Sequence, residues 1–193
     1  MTETEIKIRC TTNPIEHHPE LSVQVIVPRH FEDNRLFDFP DQRLHATNRT
    51  LRLRQTEQEN WLTFKDSPLP HTWLKIRPEY QVAIDTPDAM QQILHALGLQ
   101  QVFRYQKYRT VFRVVLPDQS ELHAMYDETP MGNYLELEGD AASIRKTIDL
   151  LGVSPAATVT ASYPTLWRQY LQQIGSAPRD MIFEQERPVP CVR

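Results

Sequence analysis

Glu3, Glu5, Lys7 and Arg9 stand at alternate positions in Thr2-Glu3-Thr4-Glu5-Ile6-Lys7-Ile8-Arg9. In an extended strand, side chains two apart share a face. The spacing therefore puts two carboxylates and two cations on one side, with Ile6, Ile8 and Cys10 on the other. The same grammar recurs as Glu136 and Glu138, set against Leu135 and Leu137. With the sign reversed it recurs as Arg52 and Arg54, set against Leu51 and Leu53. Lys65 opposes Leu62 and Phe64; Lys75, Arg77, Glu79 and Gln81 share a face; so do Lys107, Arg109, Val111 and Arg113. Asp127 falls with His123 and Met125. Carboxylates suit hard divalent cations such as Mg²⁺ or Mn²⁺, and Arg and Lys suit phosphate oxygens. Brought together, Glu3, Glu5, Asp127, Glu136 and Glu138 are candidate metal-facing acids, and the cations suit a polyanion with several phosphates.

Those charges need elements to hold them. Period-two stretches run over residues 3–10, 21–27, 33–38, 50–55, 61–65, 74–84, 104–116, 121–127 and 133–138. Three helices are predicted. One spans Pro87 to Leu97 with Thr86 as N-cap and Gly98 as its stop; the second runs from Asp140 to Gly152, and the third from Pro164 to Gly175. A short fourth helix is allowed at 14–20. The endings Leu97-Gly98 and Leu151-Gly152 hint weakly at two related halves. A strand with one charged face is ordinarily the solvated edge of a sheet, and any single strand here favours that reading. Repetition along the chain, with arginines in the middle strands and carboxylates at both ends, favours a barrel with a wide, wet, charged interior. Uncompensated charge cannot sit in a dry core.

The 193 residues suffice for one domain, and 40% hydrophobic with 24% charged residues is an ordinary globular balance. The net charge of −4 decides little. No apolar run reaches the roughly 20 residues that span a bilayer, and the acidic start is unlike a signal sequence, so no membrane partner and a cytoplasmic location are expected. Cys10 and Cys191 make no disulfide framework, and Cys10 reads as a packed thiol. His17-His18 reads as a surface turn, and Trp61, Trp73 and Trp167 as core or lid packing. Bases interleaved with acids along strands argue against a nucleic-acid partner.

These residues resemble the CYTH family, the triphosphate tunnel metalloenzymes, which includes thiamine and inorganic triphosphatases and class IV adenylate cyclases. The family's E-x-E-x-K opening is Glu3-Thr4-Glu5-Ile6-Lys7, and its Leu-Arg-x-Arg strand is Leu51-Arg52-Leu53-Arg54. A version of its preceding turn is Asp38-Phe39-Pro40-Asp41, with Phe39 where the family usually has Thr. Its lysine strand is Leu62-Thr63-Phe64-Lys65, its R-x-E element Arg77-Pro78-Glu79, and its late basic strand Lys107-Tyr108-Arg109 with Arg113. Its closing acids lie between Asp127 and Gly139, and Ser162-Tyr163 precedes the last helix as expected.

The resemblance covers residues 1–174 and implies an α+β fold there: an eight-stranded antiparallel β-barrel, or tunnel, with flanking helices. Residues 175–193, with Pro178, Pro188 and Pro190 and few apolar residues, read as a C-terminal tail. The resemblance further implies that Lys7, Arg52, Arg54, Lys65, Lys107, Arg109 and Arg113 hold a triphosphate, with Lys7, Arg52, Arg54 and Lys65 closest to catalysis. Glu3, Glu5, Asp127, Glu136 and Glu138 would hold one or two Mg²⁺ or Mn²⁺ ions. Arg77 and Glu79 either touch substrate or pair with each other to orient the floor. The expected activity is metal-dependent hydrolysis of tripolyphosphate or an organic triphosphate such as thiamine triphosphate. A class IV adenylate cyclase and a non-catalytic polyphosphate or nucleotide binder are the alternatives. The expected partner is a triphosphate-containing small molecule, with a homodimer left open.

Overall fold

The computed structural model describes residues 2–184. Strands β1 (Thr2–Cys10), β2 (Ser22–Asp38), β3 (Thr50–Gln55), β4 (Asn60–Lys65), β5 (Lys75–Ala83), β6 (Gln100–Val115), β7 (Glu121–Thr129) and β8 (Gly132–Glu138) form one antiparallel sheet. Its order is β5-β4-β3-β2-β6-β7-β8-β1, and β1 also pairs with β5, through Glu3↔Arg77 and Glu5↔Lys75. That last pairing closes eight strands into a ring. A ninth strand, β9 (Thr158–Val159), adds two residues to the outer edge of β1.

Helices α1 (Arg43–Ala46), α2 (Pro87–Ala96), α3 (Ala141–Leu150) and α4 (Tyr163–Gln173) lie against the ring. Three separate apolar clusters attach them. Ile144 and Ile148 of α3 pack on the outward Ile6, Ile8, Leu135 and Leu137. Leu166, Trp167 and Leu171 of α4 pack with Tyr105 and Tyr134. Leu94 of α2 packs with Phe37 and Leu53. Burying each such side chain contributes about 1.5–3 kcal/mol. Because the helices take up the apolar faces from outside, the other face of every strand is left to the interior. Asp140 caps α3, its Oδ1 accepting from Ala142 N and Ser143 N at 3.0 Å each, a contribution of about 1 kcal/mol. Gly139, just after β8, lies so close to Leu122 that a Cβ there would approach its Cβ to 2.9 Å, so that position can carry no side chain without a shift of the backbone.

Several expectations need correction. The stretches 21–27 and 33–38 are one strand, because β2 continues through Pro28 with bulged register against β6 between Val25 and His30. A proline is tolerated where a bulge already interrupts the ladder. Residues 14–20 form turns, with no helix, and α1 appears at 43–46. Thr86 occupies the N-cap of α2 but makes no side-chain cap bond. The Asp38 turn keeps its bonding with Phe39 in place: Asp38 Oδ1 accepts from Phe39 N (2.7 Å) and Leu44 N (3.0 Å), and Oδ2 from His45 N (2.8 Å).

Residues beyond α4 lie along β6. Met181 is fully buried and bridges to Tyr105, Asp180 Oδ1 accepts from Arg104 N at 2.8 Å, and Trp167 Nε1 donates to Arg179 O at 2.7 Å. Cys191 and the rest of the expected tail from residue 185 fall outside the described residues. No described helix is long and apolar enough to cross a membrane.

Candidate functional site

The ring encloses a cavity of about 610 Å³. Glu3, Glu5 and Lys7 reach it from β1, Arg52 and Arg54 from β3, Lys65 from β4, Arg77 and Glu79 from β5, Lys107 and Arg109 from β6, and Glu136 and Glu138 from β8. Period two in each strand aimed these side chains the same way, and closure of the ring made that way inward.

The charges interlock. Lys65 Nζ lies 2.6 Å from Glu3 and 2.7 Å from Glu79. Lys7 Nζ sits 3.2 Å from both Glu5 and Glu136, and Lys75 Nζ 2.9 Å from Glu5. Arg77 Nε is 3.3 Å from Glu3, so Arg77 and Lys65 share that carboxylate between them. Arg52 Nη2 donates to Thr63 Oγ1 at 3.3 Å, while its buried Nε has no hydrogen-bond partner among the described residues. A buried, unsatisfied guanidinium N–H costs free energy until an acceptor arrives, and an incoming phosphate oxygen is such an acceptor.

Burial opposes ionisation of Glu5 and Glu136, yet Lys7 beside both, with Lys75 and Arg109, holds each carboxyl well below its usual range. Burial likewise opposes the charge on Lys7, and Glu136 and Glu5 outweigh it and raise that ammonium. Glu138 is the exception. Burial, then the Glu3 carboxylate, push its carboxyl up to about 7. It stands directly opposite Glu5 across the β1–β8 ladder and makes no ion pair among the described residues. Burial also brings Lys75 down to about 8 despite Glu5.

The donor chemistry fits a hard divalent cation: Glu3, Glu5, Glu136 and Glu138 come from adjacent strands, are all oxygen donors, and stand close enough that the Glu3 carboxylate adds to burial in raising the Glu138 carboxyl. Among the described residues no three His, Cys, Asp or Glu side chains converge tightly enough to hold an ion as they stand. Glu3, Glu5 and Glu136 are turned toward their lysines and arginines instead.

Two predicted residues lie elsewhere. Asp127 is fully buried behind the cavity wall: Lys107 Nζ (2.8 Å), Arg109 Nε and Nη2 (2.6 Å each) and the Tyr163 hydroxyl (2.5 Å) all donate to it. With its oxygens taken, it braces the cations. Arg113 is half-exposed and pairs with Glu121, because β6 runs on past the rim and the four residues from Arg109 to Arg113 carry the side chain out of the cavity.

Other residues were missed. Glu32, almost fully buried, lies 2.9 Å from Arg54 Nη1 and 3.5 Å from Lys107 Nζ, and Asn34 Oδ1 accepts from Arg54 Nε at 2.9 Å. His30, Glu32 and Asn34 do alternate, but His30 and Glu32 fall between the expected stretches 21–27 and 33–38, and Asn34 at the start of the second carries no charge to mark it. Tyr105 and Tyr163 reach the cavity from β6 and α4. Cys10 packs beside the α3 cluster, burial pushing its thiol up to about 11, and Trp73 lies under Arg145 at 4.1 Å, away from the cavity.

A family model described as the CYTH domain matches residues 1–152. The comparison with curated proteins finds no match. Among solved structures, a candidate adenylate cyclase from Vibrio parahaemolyticus is 18% identical with a TM-score of 0.66, over 89% of this chain and 98% of that one. A Pyrococcus horikoshii protein is 20% identical with a TM-score of 0.65, over 86% and 98%. A candidate adenylyl cyclase from Hippeastrum, with a dominant triphosphatase activity, is 16% identical with a TM-score of 0.61, over 91% and 97%. At these identities the likeness is one of fold.

Proposed function

Since this chain belongs to the CYTH domain family, we propose that it is a divalent-metal-dependent triphosphatase. The observation that carries the reading is a cavity inside the ring in which Lys7, Arg52, Arg54, Lys65, Lys107 and Arg109 face an acidic set from β1 and β8. Phosphoryl transfer asks a protein mainly for position and charge neutralisation. Arg52 and Arg54 would clamp phosphate oxygens through the fork of their guanidinium groups, and Lys65, Lys107 and Arg109 would balance the remaining charge. Glu32, Asn34 and Asp127 hold those cations in place before substrate enters. Glu3, Glu5, Glu136 and Glu138 would hold Mg²⁺ or Mn²⁺, which when bound supplies positive charge at the phosphates and makes an attacking water more acidic. Arg77, paired to Glu3, and Glu79, paired to Lys65, orient the floor.

The test is phosphate release and cyclic AMP formation, side by side, from tripolyphosphate, thiamine triphosphate and ATP with Mg²⁺ or Mn²⁺, with Glu5→Gln as control. Metal-dependent phosphate release lost in Glu5→Gln supports the proposal. Cyclic AMP from ATP would make the protein a cyclase, and binding without turnover a non-catalytic binder; either result overturns it.

A further inference from the structure

A second cavity, of about 710 Å³, opens beside the first. Leu36, Thr50, Ser162 and Pro164 line both, so the two spaces meet at one mouth of the ring. They differ in chemistry. Beyond that mouth Phe103 of β6 and Trp167 and Leu171 of α4 make an apolar wall, with Asp38, Arg49 and Asp180 among the polar residues around it. Trp167 is buried, and its indole N–H is already spent on Arg179 O, so it offers the space an apolar body. Phe103 stacks on Tyr105 with centroids 6.2 Å apart and planes at 25°. Two residues apart on one strand, these rings carry an aromatic surface from the charged cavity into the second one. At the rim, Arg168 and Gln172 stand one helical turn apart on α4, able to reach a polar edge.

The register gives the passage a direction. Leu36 pairs with Arg52 on one side and Phe103 on the other; Asn34 pairs with Arg54 and Tyr105; Glu32 pairs with Lys107 and His30 with Arg109. A ligand entering from the second cavity therefore meets Arg52 first, then Arg54, and Lys107 and Arg109 deepest.

We infer that the second cavity seats the organic group of the substrate, a flat heteroaromatic ring system joined to the triphosphate, with the phosphates threaded inward from Arg52 toward Lys107 and Arg109. The inference rests on the triphosphatase reading and narrows it to organic triphosphates. Tripolyphosphate would fill the charged cavity and leave the aromatic one empty.

The test fills or strips the second cavity at residues that do not line the first. Gln172→Trp, on an exposed helix position, projects an indole into the space, and Phe103→Ala removes the aromatic surface. Steady-state kinetics are run on tripolyphosphate, ATP and thiamine triphosphate, with equilibrium dialysis of the same compounds read alongside. Both variants are expected to raise KM, or weaken binding, about tenfold or more for at least one organic triphosphate, the scale of one lost base–aromatic stack. Tripolyphosphate values are expected to stay within about twofold, since a misfolded variant would lose those too. Whichever organic compound responds identifies the ring. Equal losses on all three compounds, or unchanged values for both organic ones, overturn the inference while leaving the triphosphatase reading intact. A wild-type protein that neither hydrolyses nor binds tripolyphosphate overturns the triphosphatase reading itself.

Discussion

Replacing Glu138 by Gln should make the metal-free protein more stable. The carboxyl is partly buried opposite Glu5, with Glu3 and Glu136 also near, and those surroundings move it from an ordinary 4.5 up to about 7. A raised carboxyl means that folding penalises the charged form. The penalty is absent below about pH 4.5, where both states hold the proton, grows between there and 7, and is complete above 7. At about 1.4 kcal/mol per tenfold change in proton affinity, the gap corresponds to at most about 3 kcal/mol. Partial solvent access screens it, leaving roughly 1–3 kcal/mol. Gln keeps the shape and removes the charge. In EDTA at pH 8 the variant should melt higher by about 2–12 °C, from the usual 2–4 °C per kcal/mol at this chain length, and at pH 4.5 the two proteins should melt together. Adding Mn²⁺ at pH 8 should reverse the ranking, because the carboxylate repulsion in the wild type is what a cation relieves. A variant that melts at or below wild type in EDTA at pH 8, or a gain that persists at pH 4.5, would refute the reasoning.

If Glu138 holds the ion, it must first release its proton, so Mn²⁺ affinity measured by calorimetry should fall by up to about tenfold per pH unit below 7, and Glu138→Gln should flatten that dependence. Asp127→Ala should lower stability by about 3–5 kcal/mol in urea titrations, since Lys107 and Arg109 lose the carboxylate that pairs them inside the protein. Arg113→Ala should leave the urea midpoint within about 0.5 kcal/mol and phosphate release unchanged, because its side chain is outside the cavity. Met181→Ala should cost about 2–5 kcal/mol by the same measurement, the cost of emptying a fully buried site under α4.

Much of this protein can be read along the chain. Alternation is a local property with period two, and it assigns Glu3, Glu5, Lys7, Arg52, Arg54, Lys65, Lys107, Arg109, Glu136 and Glu138 to one face without any knowledge of neighbours. Helices α2, α3 and α4 are equally local, marked by their prolines or Asp140 at the start and by Gly98, Gly152 and Gly175 after their ends. What alternation cannot say is whether the charged face meets water outside or encloses it. That was decided by the pairing of β1 with β5, residues about seventy apart in sequence, which turned an open sheet into a ring. The same long-range geometry separated residues that one strand's pattern treats alike. Arg109 is inside and Arg113 is beyond the rim, because β6 is longer than the wall it helps to build. Asp127 became a brace because Lys107, Arg109 and Tyr163 arrived at its oxygens from β6 and α4. Glu32 came to pair with Arg54 and Lys107 only because a bulged β2 continues past Pro28. Side-chain direction is set by the residue's own backbone, whereas the surroundings of that side chain are set by every other strand.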